Sequence, residues 1–383
     1  MSKKVLYIGN YKDGTGWANA CLNNILALDS AGVDVAPRAI TFEQQQRDCA
    51  DRVKQLEKNS TEGCDICIQH TLPHLYSYDG RYKKNIGYLA VESSNFKQTG
   101  WQNFCNLMDE IWVPSLAAKK SCQNSGVAKP VKVAPHSLDM SPYNNPEKRA
   151  QIADLLPTFN FIFVGEFIER KNIEALVKAF HMEFEYEEPV NLVIKTSRIS
   201  IEDVKQHIQN TKLQLKIRKR YKHEISVVGM MEKKDYISLL SQCHCFVMPS
   251  RGEAFCIPAL EAMAVGIPVI STKYTGMDDF CVGQSVNSFS VPCFGAMSTI
   301  ADLDTARSDW REIDVKELCS AMRTAYSKWN SKEELDIKKS AQQKALKYDH
   351  KAMGEYLKGL LNDSKSNATS HKIHNAERTH ISR

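Results

Sequence analysis

The chain's 383 residues, 43% hydrophobic and 25% charged, describe an ordinary soluble globular protein with room for two domains. A net charge of +5 does not demand a nucleic-acid partner, and no apolar run is long enough to span a bilayer. Met1 to Gly9 lacks the long apolar core and small-residue cleavage site of a signal peptide. The twelve scattered cysteines read as small hydrophobes in a reducing, cytoplasmic compartment.

Taken in order, Lys4 to Gly9 reads as a strand, Asn10 to Gly16 as a polar loop and Trp17 to Ala31 as a helix. The loop carries Gly14-Thr-Gly16, but Asn19 occupies the third position of a dinucleotide fingerprint, which argues against an ordinary dehydrogenase. A polar, helical stretch from Phe42 to Gly63 follows. Strands are expected at Cys64–Gln69, Lys84–Val91, Glu110–Pro114 and Val131–Ala134, with helices at Trp101–Met108 and Leu116–Asn124. Polar residues just past strand ends face the crevice of an open α/β sheet, which singles out His70, Thr71, His74, Glu92 and Ser93. Cys64 and Cys67 have CxxC spacing, but no second pair follows, so no metal is expected.

Residues 141–154 hold two prolines and two asparagines and read as the linker between halves. The second half opens with the strand Phe159–Val164, a loop with a basic tip at Arg170-Lys171, and a helix through Phe180. Two adjacent cations at such a tip suit a pyrophosphate. A helix from Glu202 to Lys222 is rich in Lys and Arg; that is a solvated face, or a contact with an anionic membrane or polymer. Strand Ile225–Val228 and helix Glu232–Gln242 come next.

Cys245 to Met248 then reads as a buried strand that ends at Pro249-Ser250. Pro258 suits the first turn of a helix, and Gly266 with Pro268 stops that helix before the strand Val269–Ser271. Strand, loop, helix and strand imply a parallel sheet, with the loop Arg251 to Ile257 at a strand's carboxyl end. The free N–H groups and positive dipole of the helix start favour a phosphate there. Glu253 and Glu261 flank that position; carboxylates suit sugar hydroxyls and a ribose diol. Ribose, pyrophosphate and hexose in a row make a nucleotide-sugar.

Glu253-x7-Glu261, set in Pro-Ser-Arg-Gly-Glu-Ala-Phe-Cys-Ile-Pro-Ala-Leu-Glu-Ala-Met-Ala and followed by Gly-Ile-Pro-Val-Ile, resembles the motif of retaining glycosyltransferases of the GT-B fold, most nearly the family numbered four. The resemblance runs to about Leu361. It implies two Rossmann-like domains facing each other across a cleft: residues 1–145 on the acceptor side, residues 146–345 for the nucleotide-sugar, a closing helix at 346–362 that crosses back, and a disordered tail at 363–383.

The resemblance also implies roles. Glu253 and Lys171 fall on catalytic positions, Arg170 would substitute spatially for the family's arginine, and Glu92 lies near a catalytic position that often holds a histidine. Gly14, Gly16, His70, Met231, Phe255, Cys256, Ile257 and Glu261 fall on substrate-binding ones, and Met230 beside Met231 would line the base pocket. The donor would be a UDP-, GDP- or ADP-sugar, the acceptor a glycan, lipid or protein, and no metal or cofactor would be needed. Asp302-Leu-Asp304 matches a metal motif of a different glycosyltransferase fold and is set aside. The family's arginine position holds Glu166, and Ala254 and Cys256 stand where glycines are usual. These departures keep open a non-catalytic nucleotide-sugar or glycan-binding protein on a decayed scaffold, and an epimerase of similar fold.

Overall fold

The computed structural model describes residues 3–41, 48–144, 155, 158–293 and 308–363. Asp302-Leu-Asp304, residues 364–383, most of the linker and the 145/146 boundary lie outside the described residues.

The first sheet contains β1 (Lys4–Gly9), β2 (Asp34–Ala39), β3 (Ile66–His70), β4 (Lys84–Tyr88), β5 (Glu110–Val113) and β6 (Val131–Val133), all parallel, in the order β2-β1-β3-β4-β5-β6. Near-continuous apolar runs such as Val-Leu-Tyr-Ile in β1 suit strands covered on both faces. Helices α1 (Gly16–Ser30), α2 (Asp51–Leu56), α3 (Trp101–Cys105) and α4 (Leu116–Asn124) supply the crossovers. Thr15 and Ser115 cap α1 and α4 by accepting from Ala18 N and Ala118 N.

The second sheet contains β7 (Phe159–Val164), β8 (Val190–Thr196), β9 (Ile225–Val228), β10 (Cys245–Met248), β11 (Val269–Thr272) and β12 (Gly283–Val286), in the order β12-β11-β10-β7-β8-β9 and parallel throughout. Helices α5 (Ile173–Glu183), α6 (Ile201–Leu215), α7 (Lys233–Ser241) and α8 (Ile257–Ala264) connect its strands. An antiparallel hairpin, β13 (Ser288–Pro292) with β14 (Asp309–Ile313), stands apart from both sheets. Helices α9 (Val315–Ser327), α10 (Lys332–Leu346) and α11 (His350–Asn362) finish the described chain.

The last of these returns to the first lobe, where Leu357 and Leu361 join Val5, Ile25 and Leu28 in one apolar core. Gly354 permits the docking, since a Cβ there would lie 2.1 Å from the carbonyl oxygen of Ala27.

One expectation needed correction. The basic helix ends at Leu215, because Lys216 takes a left-handed conformation with φ 53°. Beyond it, Lys219 donates to Phe184 O and Lys222 to Tyr186 O, while Arg220 covers the Tyr186 ring at 3.5 Å. Much of the basic run therefore braces the 184–188 turn. The approach to α9 is a strand, β14, held by its pairing with β13. Among the described residues, no helix is long and apolar enough to cross a membrane.

Candidate active site

The two sheets turn their carboxyl edges toward a shared cavity of about 450 Å3. From the first lobe come Gly14, Gly16, His70 and Glu92; from the second come Arg170, Lys171, Met230 and Met231, then the run from Glu253 to Pro258, and Glu261. All twelve residues singled out as catalytic or substrate-binding thus share one space. Thr71, His74 and Ser93 do not line it: Thr71 is buried, His74 lies against Trp101, and the Ser93 hydroxyl caps Asn95 O.

The loop between β10 and α8 is held by its own serine and by the chain beyond β11. Ser250 Oγ donates to Gly252 O, and Gly276 N donates to Glu253 O at 2.8 Å. Gly252 passes so close to the first lobe that an added Cβ would lie 1.9 Å from Glu92 O. Cys256 caps α8 with φ 87°, a strained backbone for a residue with a side chain, and burial pushes its thiol up to about 12. It is a neutral packing group, not an activated nucleophile.

Four charges meet here. Lys171 Nζ lies 2.6 Å and Arg170 Nη1 3.1 Å from the same Glu253 oxygen, Oε1. Arg170 Nε reaches across the cleft to Glu92 Oε2 at 3.0 Å. Burial pushes Glu253 up, yet Lys171 and Arg170 outweigh it and hold the carboxyl below the usual range. At Glu92 burial wins: despite Arg170, and helped by the nearby Glu253 charge, its carboxyl is pushed up to about 7. The basic tip is therefore not bare; both of its cations already hold carboxylates. Glu166 faces Arg198 at 3.5 Å, while Arg170 occupies the buried position beside Glu253.

Glu261 accepts from Tyr143 Oη at 2.8 Å and from Lys233 Nζ. On the opposite wall His70 Nδ1 meets Tyr7 Oη at 2.7 Å, and its ring stacks on Tyr88 with centroids 4.0 Å apart. Burial and the neighbouring His136 keep His70 well below its ordinary value, so it is neutral. His70 Nε2 has no partner among the described residues.

Sequence reasoning passed over Trp17, His136, Lys195, Lys233 and Tyr236, which also line the cavity. Lys195 was hidden inside an apolar strand. Tyr143 reaches Glu261 from 118 positions away, a pairing that no local pattern announces.

Residues 144–320 match the family described as Glycosyl transferases group 1. The chain is similar to an uncharacterized glycosyltransferase, MJ1607, of Methanocaldococcus jannaschii, 29% identical over 186 residues, which are 47% of this chain and 44% of that one. It is also similar to the alpha-monoglucosyldiacylglycerol synthase of Streptococcus pneumoniae, 21% identical over 221 residues, or 55% of this chain and 48% of the relative. The matches thus span less than half the length of these relatives. Among solved structures, Anabaena HepE in complex with UDP superimposes with a TM-score of 0.64 at 16% identity, covering 94% of this chain and 99% of that one. The sucrose-phosphate synthase of Thermosynechococcus elongatus gives 0.60 at 13%, covering 94% and 98%. At such identities the likeness speaks for the fold, and the family match covers the lobe that carries the Glu253 to Glu261 loop. The lobe that carries the Glu253 to Glu261 loop thus matches the group 1 glycosyl transferases, and the chain as a whole has the GT-B fold.

Proposed function

We propose that the protein transfers a hexose from a nucleotide diphosphate-sugar to an acceptor, with retention at the anomeric carbon and without a metal. One observation carries this reading: a helix mouth, two acids and a basic tip share a single cavity between two lobes. Its volume, about 450 Å3, suits a ligand of that size. Glu261, held by Tyr143 and Lys233, takes the ribose, and the Met230–Met231 turn takes the base. The start of α8 receives the diphosphate. As the bond from the anomeric carbon to the diphosphate breaks, the electron pair leaves with the phosphate, and Lys171 and Arg170 shift part of their charge from Glu253 to that oxygen. Glu253 holds hydroxyls of the sugar. The acceptor oxygen bonds to the anomeric carbon on the face the diphosphate leaves, and Glu92, a carboxyl pushed up to about 7 on the acceptor wall, takes the proton that this hydroxyl loses.

HepE's complexes hold UDP and UDP-glucose, so a uridine donor is tested first. The lipid in the streptococcal relative's name is a reason to try a lipid acceptor beside glycan and protein. Contact with a membrane surface and a cytoplasmic location belong to the same proposal.

The test is release of nucleoside diphosphate from UDP-, GDP- and ADP-glucose by purified protein. Release by the wild type, and its loss in Glu253→Ala and Lys171→Ala variants that still fold, supports the assignment; equal turnover in all three removes it. A second reading, a nucleotide-sugar binder without turnover, is favoured by Cys256 in a backbone conformation natural to glycine. It predicts nucleotide binding by calorimetry and no product with any donor.

A further inference from the structure

Among the described residues, the charged groups around the cavity do not balance. Arg170, Lys171, Lys195, Arg198 and Lys233 line it, against the carboxylates Glu92, Glu166, Glu253 and Glu261. Four of the five cations have an acid: Arg170 and Lys171 share Glu253, Arg170 also holds Glu92, Arg198 faces Glu166, and Lys233 meets Glu261. Lys195 has no ion pair among the described residues, and it is 6% exposed.

Its ammonium is pinned by two backbone carbonyls, Thr196 O at 3.0 Å and Gly229 O, at the carboxyl ends of β8 and β9. An ammonium has three N–H donors, so one remains. Beside it the Thr196 hydroxyl, on a residue 2% exposed that also lines the cavity, has no hydrogen-bond partner among the described residues. A buried cation without a counter-charge is costly, and an unsatisfied buried hydroxyl adds to that cost. The pairing of β8 with β7 and β9 runs through its backbone, independently of either side chain's polar atoms. Burial also lowers the pKa of Lys195, the direction expected for a cation that lacks an anion.

We infer that Lys195 and the Thr196 hydroxyl form an anion-binding pair, and that their ligand is the pyrophosphate of the donor. The inference rests on the donor reading above but assigns the charge differently. The cations of the basic tip come already neutralised, and Lys195 supplies the positive charge that the cavity has not spent.

Calorimetry on the full chain tests this with uridine, UMP, UDP and inorganic pyrophosphate, with GDP and ADP in parallel, against wild type, Lys195→Met and Thr196→Val. The expected result is a loss of about 10- to 100-fold in UDP and pyrophosphate affinity in Lys195→Met, the range of one charge-assisted hydrogen bond, with uridine unchanged. Thr196→Val keeps the lysine and loses less. The melting temperature of unliganded Lys195→Met should rise, because an uncompensated charge is gone. An equal loss for uridine and UDP, or no loss, together with a lower melting temperature, would make Lys195 a strut between strands and overturn the inference. Should Lys195→Met not fold, an unchanged UDP affinity in Thr196→Val has the same force. Pyrophosphate binding without nucleotide binding would keep the anion site and reject the donor reading. If neither binds the wild type, both fall.

Discussion

Glu92 and Arg170 belong to different lobes, and their carboxylate and guanidinium meet at 3.0 Å across the cleft. Arg170 simultaneously holds Glu253, so the bond that joins the lobes is continuous with the charges of the candidate active site. Opening the cleft and rearranging that site are therefore one event.

This coupling has a pH signature. Glu92 rises from an ordinary 4.5 to about 7, so between those values the folded protein keeps a proton that the unfolded chain has released. Its contribution to stability must then fall as pH rises through that window. Glu253, held low, acts in the opposite sense and loses its contribution as the pH drops below the usual carboxylate range. Melting temperatures across this window should decline less steeply with pH in Glu92→Gln than in the wild type. Parallel profiles would mean that Glu92 ionises in the folded state as it does in water.

Removing one acid should unbalance the network. Glu253→Ala leaves Arg170 and Lys171 with only Glu92 between them, at a cost of roughly 3 kcal/mol by denaturant unfolding. Adding Lys171→Ala should recover about 1–2 kcal/mol, because the two side chains are in contact and their effects do not add. A double variant as unstable as the two single losses combined would show that the pair is not coupled.

Gly252→Ala tests the closed geometry. With the added Cβ 1.9 Å from Glu92 O, a methyl group meets an unyielding backbone carbonyl and the lobes must part. Small-angle scattering should record a larger radius of gyration. Turnover should fall about 100-fold, the scale of a misplacement near 1 Å. An unchanged radius would place the strain within the loop instead.

Gly354→Ala tests the returning helix. Its Cβ would press on Ala27 O, and the burial of Leu357 and Leu361 depends on that close approach. A loss of about 2–4 kcal/mol is expected if most of that burial is forfeited. Faster amide exchange over residues 350–362, with the second sheet unaffected, would confirm that the damage is local.

Much of this was legible because parallel sheets announce their strands. Phe159–Val164, Ile225–Val228 and Cys245–Met248 stand as read, since all three are short apolar runs punctuated by turn residues, and β7 and β10 are flanked on both sides. Two strands were not legible. β12 contains Gly283, Gln284 and Ser285 at a sheet edge, and β14 contains Asp309, Arg311 and Glu312; their pairing is decided by tertiary contacts rather than composition. Arg251 contributes by holding Glu312 at 2.6 Å. In the site, the local unit from Glu253 to Glu261 could be read because strand, loop and helix adjoin in sequence. The ion pairs that occupy Arg170 and Lys171 could not, since they join residues about eighty positions apart.

The central claim is that one sugar diphosphate touches both lobes at once. Hydrogen exchange with and without the nucleoside diphosphate that binds best measures this directly. The account predicts slower exchange in the 14–20 loop and helix start of the first lobe and, in the same experiment, at residues 195–198 and 251–261 of the second. Protection confined to one lobe, or lying outside these segments, would contradict it.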